Sequence, residues 1–309
     1  MINGVINIYK EKGFTSHDVV AKLRGIMKQK KIGHTGTLDP DATGVLPVCL
    51  GSATKLCDML TDKQKEYVAK VHLGVVTDTQ DMTGNILEEK DVSVTMEQAI
   101  SAVQSFVGHY EQVPPMYSAL KVNGKKLYEL AREGKVVERK ARPVEIYYID
   151  VLNVNLPDIE IRVGCSKGTY IRTLCHDIGQ MLGCGASMAA LERTKSGQFV
   201  SETAITLKEL EQKLQQAGER REEVLSELVI PVDKMFAEHS ELRLLSKWER
   251  LVQNGNSFEE KNLKPEYRVE ERSQREQYRV YVGEDTFIGI YEYRKEEEKF
   301  YPVKMFFAE

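Results

Sequence analysis

Twelve consecutive residues, GHTGTLDPDATG at 33–44, contain only two apolar side chains, Leu38 and Ala42. Such a run has almost nothing to bury, so it cannot be a core strand or helix and the fold must carry it as a loop. The flanks have the opposite character. GVINIY at 4–9 reads as a strand, and Ser16 to about Gln29 reads as a helix capped by Thr15 or Ser16, with Val19, Val20, Leu23 and Met27 on one face. After the loop, VLPVCLG is strand-like and ATKLCDML a short helix. Ordering a polar loop between two apolar segments costs backbone entropy. The loop's two carboxylates, Asp39 and Asp41, therefore call for an explanation.

Further along, Tyr67 to Leu73 in EYVAKVHLG alternate as in a half-buried strand, and Thr95 with Gln98 form a capping box for a helix to about Val107. Strands follow at about 143–155 and 159–165. KGTYIRTLCHDIGQMLG starts on Gly168-Thr169 and continues as a helix with Ile171, Leu174, Ile178 and Leu182 inward. That puts Tyr170 and Arg172 in its first turn, at the mouth rather than the buried centre. An acidic amphipathic helix spans roughly 207–228, and VIPVDKMF closes the region. After about residue 240 the texture changes. A helix from Glu241 to Val252 ends at Asn254-Gly255, and short alternating strands such as YRVYV and FIGIYEY suggest a separate β-rich domain.

With 309 residues, 41% hydrophobic and 29% charged, the chain suits a soluble protein of two domains. No window approaches the roughly 18 apolar residues of a membrane span, and the N-terminus lacks the basic start of a signal peptide. A cytoplasmic protein with no membrane partner is expected. The five cysteines include no Cys-x-x-Cys pair, and Cys165, Cys175, His176 and Cys184 fit no usual zinc spacing, so buried free thiols and no metal are expected. The net charge of −4 argues against a surface that binds polyanions everywhere. Lys121 to Arg142 is the exception, with eight basic residues against three acidic. It is either a solvated charged face or a phosphate-contacting arm with Tyr117 and Tyr128 available to stack.

Three readings of Asp39 compete. Asp-Pro and Asp-x-x-Gly are good turn chemistry. DPDATG also matches the Asp-x-Asp-x-Thr pattern of aspartyl phosphatases, but GHTGTL cannot be the buried strand that this chemistry requires. The third reading is a solitary carboxylate nucleophile or base, kept ionised by a nearby arginine, with glycines that let a substrate backbone approach.

KIGHTGTLDPDATGVLPVCLGSATKL resembles the catalytic motif of the bacterial TruB-type tRNA pseudouridine-55 synthases. GFTSHDVVAKLR, KEYVAKVHLG, DTQDMTG, VPPMYSALKVNGKKLYELAREG, CSKGTYIRTLCHDIG, MAALERTKSGQF and VIPVD continue the resemblance in order, over about residues 2 to 235. One departure is Lys10-Glu11-Lys12-Gly13, where the family usually has Lys-Pro-x-Gly; losing the proline relaxes one turn and removes no reacting group.

The resemblance implies an α/β (α+β) pseudouridine synthase fold, with a mixed, mainly antiparallel sheet flanked by helices. It places the catalytic domain at 1–237 with an RNA-contacting insertion at about 116–142, and a small PUA-like β-barrel at 238–309. The implied activity isomerises the T-loop uridine (U55) of tRNA by base flipping, with no cofactor, and a monomer is expected. Asp39 becomes the catalytic aspartate, acting at C6, at C1′ or on the C2′ proton. Arg172 pairs with it and Tyr67 stacks on the flipped uracil. Tyr170 and Leu191 complete the pocket wall, and His34 fills the vacated place in the RNA stack. Lys10, Lys55, Lys121, Lys125 and Lys126 become substrate contacts, with Lys22, Lys28, Lys30 and Lys31 along the tRNA arm. Asp41 is left as a turn former. The rival class is a non-catalytic RNA-binding or chaperone protein of the same fold, which would have no need of Asp39, Tyr67 and Arg172 together.

Overall fold

The computed structural model describes residues 1–122 and 124–306; Asn123 in the basic segment and residues 307–309 at the end of the C-terminal unit lie outside them. One large sheet organises the first three-quarters of the chain. Its strands run in the order Val229–Ile230, Gly4–Lys10, Thr43–Leu50, Ala186–Ser196, Lys65–Leu73, Asp158–Cys165, Arg142–Asn155 and Gly108–Gln112. Ile32–His34 and Phe199–Val200 add two short strands, for ten in all. Among the paired strands only Thr43–Leu50 and Ala186–Ser196 run parallel, so the sheet is mixed and mainly antiparallel.

The sheet's two halves differ in cover, and the sequence shows why. Strands Gly4–Lys10 and Thr43–Leu50 are nearly continuous in apolar residues because both faces are packed. Helices Ser16–Met27 and Leu207–Ala217 lie on one face, where Leu23 and Leu210 are fully buried at about 2 kcal/mol each. Strand Lys65–Leu73 alternates buried and part-exposed residues because helices Met96–Gln104 and Ile171–Leu182 cover one face only.

Beyond residue 239 a five-stranded sheet takes the order Ser240–Arg243, Gln277–Val282, Thr286–Arg294, Lys299–Met305 and Phe258–Glu259. Its edges meet where Lys264 N–H donates to Arg243 C=O at 2.8 Å and Leu245 N–H to Asn262 C=O at 3.0 Å, which closes a small barrel. Leu242, Val280, Phe258 and Phe300 fill it. Ile290 and Phe306 pack the barrel onto Val232, Met235 and Phe236 of the large domain.

Three expected helices are corrected. Glu241 to Val252 is not one helix: Leu242 and Leu244 alternate inward with period two, giving the strand Ser240–Arg243, and only Glu249–Gln253 is α-helical. The acidic helix at 207–228 breaks at Gly218 (φ +54°) into Leu207–Ala217 and Arg221–Leu228. The helix expected to reach Val107 ends at Gln104.

Candidate active site

The loop expected from its lack of apolar residues is held as tightly as a core element. Ser16 Oγ accepts from Leu38 N–H at 3.0 Å, Gly13 N–H donates to Pro40 C=O at 2.9 Å, and Ala42 N–H donates to Asp39 C=O at 3.1 Å. Lys10 closes the loop from beneath, its ammonium donating to the carbonyls of Glu11, Pro40 and Ala42 at 3.2, 3.0 and 2.5 Å. Burial pushes the Lys10 pKa down to about 8, against the pull of Asp39 and Asp41.

Asp39 stands at the top of this loop, its side chain 41% exposed. Arg172, only 7% exposed, forms an ion pair with Asp39, its Nε 3.0 Å from Oδ2, and donates from Nη2 to Asp39 Oδ1 at 3.4 Å. The remaining guanidinium protons go to Tyr117 C=O at 2.8 Å, Thr79 C=O at 3.1 Å and Asp81 Oδ2 at 3.4 Å. Four hydrogen bonds from Nη1 and Nη2, with the Nε ion pair, hold this fork in one orientation. Dehydration on the protein side pushes the Asp39 pKa above the ordinary carboxylate value; Arg172 pulls it back, and Asp81 adds to the upward push.

The expected wall residues come from three strands and the start of helix Ile171–Leu182. Tyr67 is buried opposite Arg193 on the next strand, and burial pushes its phenol pKa up. Tyr170 is half-buried and caps the start of helix Ile171–Leu182. Leu191 is half-buried, pairs with Ala69 and packs on the same core. His34 sits edge-on to His17, with ring centroids 5.3 Å apart, and its buried Nδ1 has no partner. Burial lowers the His34 pKa below its usual value, which leaves the ring neutral at pH 7.

Four expectations change. Arg172 is not at the mouth: its helix starts at the rim, but the side chain turns inward beneath Asp39. Lys10 is fully buried with its ammonium protons on carbonyls, so it supports the loop and has none left for a phosphate. Lys55 lies past the Leu50 end of strand Thr43–Leu50, near Gly33 at the start of the loop and not beside Asp39, and donates to Met305 C=O of the barrel. The loop glycines serve the chain rather than a substrate. A Cβ on Gly44 (φ +103°) would meet Arg193 C=O at 2.3 Å, where the large sheet's strands Thr43–Leu50 and Ala186–Ser196 pair in parallel, and one on Gly33 would meet Cys57 Sγ at 3.1 Å. Lys121 and Lys125 stay exposed on the hairpin Lys121–Val122 and Lys125–Lys126, and Lys126 Nζ lies over the Tyr128 ring. Asp41 is a surface turn residue near Lys12.

Sequence reasoning passed over Asp81. DTQDMTG carried its signal, two carboxylates and two threonine hydroxyls in seven residues: Asp81 Oδ1 accepts from Thr79 Oγ1, Thr83 N–H and Thr83 Oγ1 while Oδ2 faces Arg172. Arg193 was also missed; it is fully buried and donates from Nε to Val45 C=O at 2.7 Å and from Nη2 to Gly36 C=O at 3.4 Å. Among the described residues no helix is long and apolar enough to cross a membrane, and no group of three or more His, Cys, Asp or Glu is gathered as for a metal ion. All five cysteines are free and four are buried.

The mixed, mainly antiparallel sheet that carries this carboxylate–arginine pair is a pseudouridine synthase fold. Residues 24–171 match the model for the TruB family pseudouridylate synthase N-terminal domain, and residues 172–237 match that for the tRNA pseudouridylate synthase B C-terminal domain. The chain belongs to the TruB family. It is 50% identical to the tRNA pseudouridine synthase B of Lachnoclostridium phytofermentans, over 99% of this chain and 100% of that protein. The corresponding figures for the tRNA pseudouridine synthase B of Clostridium tetani are 46%, 96% and 97%. Among solved structures, a chain of a Cbf5-Nop10-Gar1 complex superposes with TM-score 0.71 at 29% identity, covering 99% of this chain and 85% of that one. A chain of an H/ACA RNP bound to a substrate RNA containing 2′-deoxyuridine superposes with TM-score 0.70 at 28% identity and the same coverage.

Proposed function

We propose that this protein isomerises uridine 55 in the T-loop of tRNA to pseudouridine, acting as a monomer in the cytoplasm. The observation that carries the reading is the ion pair between half-exposed Asp39 and buried Arg172. The N1–C1′ bond breaks, a C5–C1′ bond forms, and the proton lost from C5 is matched by one gained at N1, so the reaction needs no oxidant or reductant. Asp39 is the reacting carboxylate and Arg172 keeps it ionised and oriented. Tyr67 stacks on the uracil while it is detached; Tyr170 and Leu191 wall the pocket.

The target lies inside a folded loop, so it is taken out of the stack at a cost of a few kcal/mol. His34, a neutral ring with an unpaired Nδ1 beside the loop, fills the vacated place and offsets part of that cost. Lys121, Lys125 and Lys126 contact phosphates from the arm at 116–142. Residues 1–237 form the catalytic domain and 238–309 a PUA-like RNA-binding module. A non-catalytic RNA chaperone is the second reading, and a buried arginine paired with a half-exposed carboxylate is more than binding requires.

The test is incubation with an unmodified tRNA transcript and mapping of pseudouridine. Product at position 55 is expected. Product only at another uridine overturns the specificity, and binding without product overturns the catalytic reading.

A further inference from the structure

Strand Gly108–Gln112 is the outermost of the large sheet, and its alternate residues Tyr110 and Gln112 face helix Ile171–Leu182. Tyr110 donates its hydroxyl to Asp177 in the helix's second turn. Gln112 is fully buried and its carboxamide bonds both main-chain groups of one residue: Oε1 accepts from Tyr170 N–H at 2.7 Å and Nε2 donates to Tyr170 C=O at 3.0 Å. The partners fix the amide's orientation, since a backbone N–H can only donate and a carbonyl only accept. Tyr170 is the N-cap of the helix and has no side-chain cap bond; Gln112 supplies from another strand an acceptor for the N-cap N–H, one of the donors a helix start leaves open.

The chain leaving Gln112 runs through Val113, Pro114 and Pro115, whose fixed φ angles stiffen it, to Tyr117. Tyr117 C=O accepts from Arg172 Nη2. Gln112, Tyr170, Arg172 and Tyr117 thus close a ring of chain and hydrogen bonds, with Gln112 the junction between its two sides. Resting on the isomerisation reading above, we infer that Gln112 is a positioning residue for catalysis. It sets the separation between the helix start that carries Tyr170 and Arg172 and the segment that braces the Arg172 guanidinium, without touching RNA itself.

Gln112→Met keeps the volume and removes both bonds. Gln112→Glu restores them only when protonated, because a carboxylic acid can accept from Tyr170 N–H and donate to Tyr170 C=O. The measurements are single-turnover pseudouridine formation with saturating protein on a tRNA transcript, tRNA Kd, and the pH profile of each variant divided by that of wild type. Gln112→Met should be slower by about tenfold or more, since a misplacement of an ångström at a site costs up to 100-fold, while Kd stays within about threefold. For Gln112→Glu the ratio to wild type should rise as pH falls from about 8 to 6, because burial raises a carboxyl's pKa. A Gln112→Met rate equal to wild type, a loss confined to Kd, or a flat Gln112→Glu ratio overturns the assignment. Wild type failing to form product is a separate outcome and overturns the isomerisation reading itself.

Discussion

Arg172 meets Asp39 from below: the guanidinium is 7% exposed, the carboxylate 41%, and Nε lies 3.0 Å from Oδ2. The charge that orients is dry and the charge that reacts is open, so the attraction is stronger than between two exposed groups while the working edge stays accessible. Asp39→Asn keeps the shape and removes the charge. It should abolish pseudouridine formation while tRNA affinity stays within about tenfold, or ~1.4 kcal/mol. Residual turnover near that of wild type would remove Asp39 from the chemistry.

Asp81 shares Arg172 with Asp39, and its charge pushes the Asp39 pKa upward. Asp81→Asn has two separable effects. Loosening the guanidinium should slow the reaction by about tenfold to 100-fold, roughly 1.4–2.7 kcal/mol in the barrier. Removing the negative charge also makes Asp39 easier to ionise. Activity, which requires the ionised form, is lost as pH falls through the Asp39 pKa, so the acid limb of the variant should lie at lower pH than that of wild type. A pH–rate profile under single-turnover conditions checks both; an acid limb moved upward would contradict the charge assignment.

What the sequence disclosed followed from local pattern. Thr15, expected with Ser16 as the alternative, caps the first helix, Thr95 with Gln98 forms the expected capping box, and the apolar faces at Val19, Leu23 and Leu174 are buried. Asp39, Arg172 and Tyr67 could be named because their motifs resemble a known family. Their contacts could not be read, because Thr79, Tyr117 and Asp81 reach Arg172 across 55 to 93 residues of chain. Tyr117 and Thr79 contribute carbonyls, which every residue carries and no composition reveals. The strand Ser240–Arg243 was hidden for another reason: Glu-Leu-Arg-Leu-Leu fits helix and strand alike over so short a stretch, and pairing with Gln277–Val282 decides it.

Lys10 separates a buried clamp from an RNA contact. Lys10→Met leaves Pro40 and Ala42 carbonyls without their donor and should destabilise the protein by about 3 kcal/mol. The salt dependence of tRNA binding should not change, since no phosphate contact is lost. The pKa of about 8 against the ordinary 10.5 fixes a sign as well. Between those values the unfolded chain holds the proton that the folded protein has released, so wild-type stability should gain on the variant as pH rises through this window. Denaturant melts across that range check it, and a gain on lowering pH would rule out the buried-ammonium account.

The arm at 116–142 must be tested without Arg139, because Arg139 Nη1 donates to Pro114 C=O at 3.0 Å and its loss would disturb the segment behind Tyr117. Lys121, Lys125 and Lys140 are exposed, and Lys126 is half-exposed over Tyr128. Lys125 has only the surface pair with Glu133, at 3.4 Å, to give up on meeting a phosphate. Changing these four to Gln should weaken tRNA binding and lower the slope of log affinity against log salt by roughly 0.7–0.9 for each phosphate contact removed, about 3 in total. Single-turnover rates at saturating protein should change far less than affinity, since none of the four touches Asp39 or Arg172. Equal slopes for wild type and variant would show that the segment is a solvated charged face and that the stem is gripped elsewhere.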